Sequence, residues 1–320
     1  MLQRPRRNRK NSAIRNMIAE THLTVDNLIY PFFVVDGNGT KEEISSLSNN
    51  YRWSIDKLLF EVEECVKLGL NSFVLFPKVN DNLKDKTGTY SYNDNNFYLK
   101  IARKLKAEFP QICLMSDVAL DPYSIDGHDG IVRNGKIVND ETLPVLGKMA
   151  VAQAHAGFDI IGPSDMMDGR VMFIRDALDD YDLTNVSIMS YTAKYASAFY
   201  GPFKKIPTDK KTYQMNPANA KEAIREAHLD ETEGADFLMV KPALCYLDII
   251  KTLAENSALP ISAYNVSGEY AMLMAACQKG WLNIETAMPE MLLSMKRAGA
   301  TAILTYFAKA FAELKTNKYL

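Results

Sequence analysis

Eight short runs of apolar, β-prone residues punctuate the chain, at residues 28–34, 72–76, 112–117, 159–162, 187–190, 237–240, 260–264 and 302–305. Between them, apolar residues recur at helical spacing, most clearly over residues 55–68, 97–108, 143–156, 217–232, 247–256 and 284–297. A strand that is apolar almost throughout needs cover on both faces. Eight such strands alternating with amphipathic helices therefore predict an α/β fold, a (β/α)8 TIM barrel. Asn216 can cap a helix that has Pro217 at its first position, and Gly157, Gly234, Gly280 and Gly299 follow helical stretches as stops.

Two kinds of segment fall outside this alternation. Residues 1–27 precede the first strand and carry Arg4, Arg6, Arg7, Arg9, Lys10 and Arg15, which predicts an arm lying on another surface, ahead of a catalytic barrel over residues 28–320. Long polar stretches at 78–96 and 195–214 follow strands, where a barrel carries its active-site loops. At 320 residues, 47% hydrophobic and 24% charged, the chain has room for one large globular domain. Its net charge of -2 offers no broad attraction to nucleic acid or anionic membrane. Cys65, Cys113, Cys245 and Cys277 form no C-x-x-C pair and read as buried free thiols in a reducing compartment. With no apolar run approaching about 18 residues and no leader-like h-region, a cytoplasmic protein without a membrane span is expected.

The chemistry suggested by this pattern lies in two lysines. Lys241 ends the run Phe237-Leu-Met-Val240 and is followed by Pro242, so its ammonium is placed at the end of a buried strand. Lys194 closes SIMSYTAK and is surrounded by aromatic and small residues. On the barrel reading both lie at the same mouth, on the fifth and sixth strands, where two neighbouring ammonium groups lower each other's proton affinity. Such lysines either form imines with a ketone or aldehyde, or snorkel outward and pair with carboxylates. After the third strand, Asp117, Asp121, Asp126, His128 and Asp129 gather in one loop, as hard ligands suited to Mg²⁺ or as an ordinary Asp/Gly turn. Ser164-Asp165-Met-Met-Asp168-Gly-Arg170 is equally a capped turn or a binding loop.

The segments SYTAKYASAFYGPF and FLMVKPA resemble the two lysine motifs of the porphobilinogen synthase (5-aminolevulinate dehydratase) family. RPRRNRKNSAIRNM, DVALDPYSIDGHDG, GPSDMMDGR, YQMNPAN, DETEGAD and YNVSGEYAM extend the likeness in order along nearly the whole chain. The resemblance implies a barrel lyase that condenses two 5-aminolevulinates in tetrapyrrole (heme) synthesis, with imines at Lys241 and Lys194 and no organic cofactor. It also implies that Ser267 and Tyr306 hold the first substrate's carboxylate. Lys204, Lys210 and Gln214 would hold the second's, on a lid within residues 195–214. Asp117 and Ser164 would line the second position, with Tyr191, Phe199 and Phe203 as its apolar wall.

The chain departs from the family pattern in three places. Where zinc-dependent members have three cysteines, it carries Ala119, Asp121 and Asp129, so no catalytic zinc is expected and the chain is similar to the aspartate-rich branch. For that branch the resemblance implies an allosteric Mg²⁺ bound directly by Glu226 with Asp165 in its outer shell, and leaves Asp121 and Asp129 as candidate active-site ligands. Glu226 also falls at a solvent-facing helical period. Lys204 stands where arginine is usual, exchanging a two-bond carboxylate clamp for a point charge, and Gly162 stands for alanine. The family's arm embraces a neighbouring subunit, which implies a homo-octamer, or a hexamer when the arm moves. Two alternatives remain at this point: a class I aldolase using one imine lysine, and a non-catalytic barrel that binds RNA through its arm.

Overall fold

The eight apolar runs fold as eight parallel strands in a computed structural model that describes residues 1–201 and 208–317. They are β1 Leu28–Val34, β2 Ser72–Pro77, β3 Cys113–Met115, β4 Ile160–Ile161, β5 Ser187–Lys194, β6 Phe237–Lys241, β7 Ile261–Asn265 and β8 Ala302–Thr305. Each pairs with the next, and β8 closes on β1 through Leu28↔Ile303 and Ile29↔Leu304, so the predicted (β/α)8 barrel is present. β5 and β6 run further than their apolar cores suggest. Lys194 and Lys241 are thereby the last residues of adjacent strands, in register with each other.

The outer layer is α1 Ile55–Lys67, α2 Phe97–Glu108, α3 Asn139–His155, α4 Arg170–Asp180, α5 Lys221–Thr232, α6 Leu247–Asn256, α7 Ser267–Gln278, α8 Ile284–Ala298 and α9 Ala308–Asn317. Three of these, α4, α7 and α9, are absent from the pattern-based reading. α7 shows why: its sequence SGEYAMLMAACQ is small and apolar nearly all round, so no polar stripe marks a period. The cap predicted at Asn216 does not start α5. Its Oδ1 instead accepts from Ala218 N at 3.0 Å, closing a turn, and the helix begins at Lys221. The glycine stops hold; Gly299, at φ 122°, occupies a conformation that a side chain would strain.

Two hairpins decorate the barrel. Lys41–Glu43 pairs with Tyr51–Trp53, which adds to β1 in parallel through Phe33↔Arg52 and so carries Arg52 to the barrel mouth. Val132–Arg133 and Lys136–Ile137 form the other, between β3 and α3. Within the first 20 residues, a 3-10 turn Pro5–Arg9 and a helix Ser12–Met17 are exposed apart from the half-buried Ile14. All four cysteines are free, but only Cys65 is buried; Cys245 is exposed. Among the described residues no helix is long and apolar enough to cross a membrane.

Candidate active site

The strands' carboxyl ends surround a cavity of about 440 Å³ whose lining includes Asp117, Asp121, Asp129, Ser164, Lys194, Lys210, Gln214, Lys241, Ser267 and Tyr306. Residues drawn from six strand ends and the 195–214 loop thus converge on one space. Tyr191 adds its ring beneath Lys241. Phe199 is half-buried and does not line the cavity, whereas its neighbour Tyr200 does, with its hydroxyl donating to the Lys241 carbonyl at 3.2 Å. Phe203 and Lys204 lie outside the described residues.

The two lysines differ electrostatically. The Lys241 Nζ lies 4.5, 5.0 and 5.5 Å from the ring centres of Tyr264, Tyr191 and Tyr200. Burial, and then the Lys194 ammonium, hold its amine down at about 7. Lys194 was expected to be lowered likewise, and it is not. Its Nζ donates to Asp129 Oδ2 at 2.8 Å and to the Ser164 carbonyl. Burial is the largest single influence and opposes its charge, but Asp129, Asp121 and Asp117 together outweigh it and raise Lys194 above its ordinary range.

Asp129 is almost fully buried and serves two cations, Lys194 through Oδ2 and Lys210 through Oδ1 at 3.3 Å. Burial works against its charge, yet the two lysines hold it at about 2. Asp129 is therefore a counter-ion in this arrangement, with both oxygens engaged, rather than a free metal ligand. Asp117 is pushed up to about 6 by burial and then by Asp121, and its Oδ1 has no hydrogen-bond partner. Ala119, between them, is buried and offers no ligand atom.

On the first-substrate side, Tyr306 shares a 3.1 Å hydroxyl contact with Tyr264, and Ser267 Oγ donates to the Tyr200 carbonyl at 3.4 Å. Three cations that the motifs do not single out also reach this cavity: Arg52, Lys78 and Lys84. Arg52 pairs with Glu42 at 3.1 Å and Lys84 with Asp81 at 2.8 Å. Arg52 depends on the hairpin's pairing with β1, a long-range contact that spacing does not reveal.

Glu226 stands apart, in a second cavity of about 450 Å³ with Asn139, Asp168, Asn219 and Glu222. It is half-buried rather than a solvent-facing helix residue, and burial raises its carboxyl. Asp165 is fully buried; its Oδ1 accepts from Met167 N at 2.8 Å while Oδ2 has no partner, and burial pushes it up to about 6. Among the described residues no three His, Cys, Asp or Glu side chains converge as a metal cluster. One or two carboxylates with carbonyl and amide neighbours do fit Mg²⁺, which keeps most of its water.

Fold and site together define a (β/α)8-barrel enzyme with a lysine pair at the carboxyl end of its strands. Residues 2–314 match the family described as delta-aminolevulinic acid dehydratase, and the chain belongs to that family. It is 51% identical over 318 residues to the delta-aminolevulinic acid dehydratase of Chlamydia pneumoniae, covering 98% of this chain and 96% of that protein. It is 50% identical to that of Bradyrhizobium diazoefficiens, covering 98% and 91%. The solved delta-aminolevulinic acid dehydratase (porphobilinogen synthase) of Toxoplasma gondii, in complex with the reaction product porphobilinogen, superposes with a TM-score of 0.95 at 49% identity, covering 98% and 91% of the two chains. An aldolase, QR15, shares the fold alone, with a TM-score of 0.50 at 11% identity. Family membership implies a metal-dependent enzyme.

Proposed function

We propose that this chain is a hydro-lyase that condenses two molecules of 5-aminolevulinate into porphobilinogen with loss of two waters. The observation that carries the mechanism is the electrostatic contrast between Lys241 and Lys194 at one barrel mouth. Near neutral pH a large fraction of Lys241 is neutral amine, able to add to the first substrate's ketone carbon; loss of the carbinolamine hydroxyl as water leaves an imine. Ser267 and Tyr306 face the same space as donors for that substrate's carboxylate. Lys194 must first yield a proton that its counter-ion Asp129, at 2.8 Å, holds in place, so its imine with the second substrate follows the one at Lys241. Lys210 and Gln214, with Lys204 from the same loop, bind the second carboxylate.

Imine formation acidifies the adjacent C–H, and the resulting enamine carbon attacks the other molecule's former ketone carbon. The amino group of one molecule displaces a lysine from the other to form the carbon–nitrogen bond. Across the sequence both lysines are released and the two ketone oxygens leave as water. Asp117, raised to about 6, is the carboxylate best matched to move a proton near pH 7 in this space. Tyr191 and Tyr200 supply the apolar wall, in place of Phe199, which does not line the cavity, and Ser164 fixes Lys194 through its carbonyl. Closure of residues 195–214 as a lid keeps water from the imines.

The metal in this reading is Mg²⁺, held directly by Glu226 with Asp165 behind it. Bound there, it supplies a fixed positive charge outside the reaction cavity. Asp121 and Asp117 also line the reaction cavity, while Asp129 is committed to the lysines. Residues 1–27, rich in arginine and exposed over the first 20 apart from Ile14, form the arm of a homo-octamer that shifts to a hexamer on rearrangement; the protein is cytoplasmic and binds neither nucleic acid nor membrane. The test is a colour-forming pyrrole assay on 5-aminolevulinate with wild-type and Lys241→Ala protein. Pyrrole from the wild type alone supports the reading, and no pyrrole from folded wild type under any metal condition rejects it.

A further inference from the structure

Glu269 lies in the first turn of α7, just after Ser267, and is fully buried. Its Oε1 accepts from Leu244 N at 2.7 Å, in the turn that follows Lys241. Its Oε2 accepts from Asn265 Nδ2 at 2.9 Å and Val266 N at 3.1 Å, at the end of β7. Because Asn265 gives its amide N–H to Glu269, its Oδ1 faces the other way and accepts from Thr305 Oγ1 at 2.9 Å, at the end of β8. Thr305 Oγ1 in turn accepts from Phe307 N at 3.1 Å. Asn265 and Thr305 are as fully buried as Glu269, so the chain of bonds runs without solvent behind the cavity wall.

The three strand ends tied by this chain are those that present Lys241, Ser267 and Tyr306. An isolated buried carboxylate is costly, and a well-packed apolar side chain usually serves stability as well. What the carboxylate adds is direction: two acceptor oxygens that each fix a different loop, with every donor oriented. Burial pushes Glu269 up to about 7, against the hydrogen bonds that favour its charged form.

We propose that Glu269 is a positioning residue for the first substrate, locking the ends of β6, β7 and β8 so that the Lys241 amine and the Ser267 and Tyr306 hydroxyls address the same molecule. The inference rests on the reading of Lys241 as the imine lysine. Glutamine at this position has one oxygen and one NH₂, so it can accept from Leu244 or from the Asn265 side, but not from both. Thr305→Val cuts the link to β8 while leaving the carboxylate in place.

The test compares two probes, levulinate, a keto acid that cannot cyclise, and butanone, a ketone of similar reactivity without a carboxylate. Each is trapped with borohydride on full-length wild type, Glu269→Gln and Thr305→Val, and the adduct at Lys241 is quantified by peptide mass spectrometry. Butanone reads the amine alone, whereas levulinate reads the amine and the carboxylate donors together. The expected result is a fall of roughly tenfold or more in the levulinate-to-butanone ratio for Glu269→Gln, since misplacement of about 1 Å costs up to about 100-fold. A smaller fall in the same direction is expected for Thr305→Val, which also decides the matter if Glu269→Gln does not fold. An unchanged ratio, even with lower absolute yields, overturns the positioning role. Absence of any Lys241 adduct in the wild type overturns the imine assignment itself, which is a separate failure.

Discussion

Lys241 and Lys194 are register partners on adjacent parallel strands, yet one amine is held down at about 7 while the other is held protonated by Asp129 at 2.8 Å. The pair is therefore asymmetric before any substrate arrives. In the proposed mechanism Lys241 attacks, its amine lowered by burial and then by the charge that Lys194 supplies.

Imine formation at Lys241 should follow this state with pH. Below about 7 the amine is mostly protonated and slow; adduct formation rises as pH passes that value and levels off above it. Lys194→Met removes a positive neighbour and leaves Asp129 with one less cation, and both changes favour a charged Lys241. The midpoint for borohydride trapping at Lys241 should move upward in that variant. A midpoint that stays or falls would show that burial alone sets the wild-type value.

Asp129→Asn should be strongly destabilising, because it leaves Lys194 and Lys210 facing each other in a buried space without a counter-ion. Removal of one partner of a buried pair costs about 3–5 kcal/mol, read as a lower urea midpoint. Asp129, at about 2, lies below its ordinary 3.8, so it stabilises the fold above that ordinary value and loses the contribution as pH falls through about 2. Lys194 lies above its ordinary 10.5, so its share is present below that value and lost as pH rises through the folded one. The cost of Asp129→Asn should accordingly be larger below about 7, where the charge on Lys241 also depends on Asp129, and smaller above it. Asp129→Asn combined with Lys194→Met should recover part of it.

The barrel was legible because β1 and β8 are apolar runs bounded by polar residues, and these coincide with the strands formed. Helix α7 was not, since apolar residues crowd its faces without a 3.6-residue period; α4 buries Val171, Ile174 and Leu178 at helical spacing, but its exposed Met172 and Phe173 blur the stripe. In the site, Lys194 and Lys241 stand out as charges at the ends of apolar runs. Asp129's role does not: in sequence it is one of four aspartates in a loop, and only the fold brings it to a lysine from β5. Arg52 and Glu269 were silent for the same reason, each acting through contacts between distant strand ends.

Gly162 is a sharper departure from the family's usual alanine than its sequence position suggests. A Cβ there would lie 2.5 Å from the Ser116 carbonyl oxygen and 2.6 Å from Met115 Cε. The methionine end can turn away, but the carbonyl belongs to the backbone beside β3. Gly162→Ala should therefore cost about 1–3 kcal/mol of stability by overpacking. It should also lower activity, since Ser164 follows closely and its carbonyl holds Lys194. A variant as stable as wild type in urea would mean that β3 and β4 separate without cost.

Mg²⁺ should act from the Glu226 cavity rather than from the reaction cavity. The carboxylates lining it are Glu226, Glu222 and Asp168; Asp165, one residue before the lining Met166, is fully buried and its Oδ2 lacks a partner. In the reaction cavity, by contrast, Asp129 already serves two lysines. After EDTA treatment, added Mg²⁺ should raise both the pyrrole-forming rate and the melting temperature, because an ion that binds only the folded protein stabilises it by about 2.7 kcal/mol at 100 times its Kd. Zn²⁺ should not substitute, since this oxygen-rich set lacks the nitrogen and sulfur ligands zinc favours. Glu226→Gln should abolish the Mg²⁺-dependent rise in melting temperature, a readout independent of catalysis. Should Asp121→Asn abolish it instead, the cation belongs in the reaction cavity, and the separation of the two sites fails.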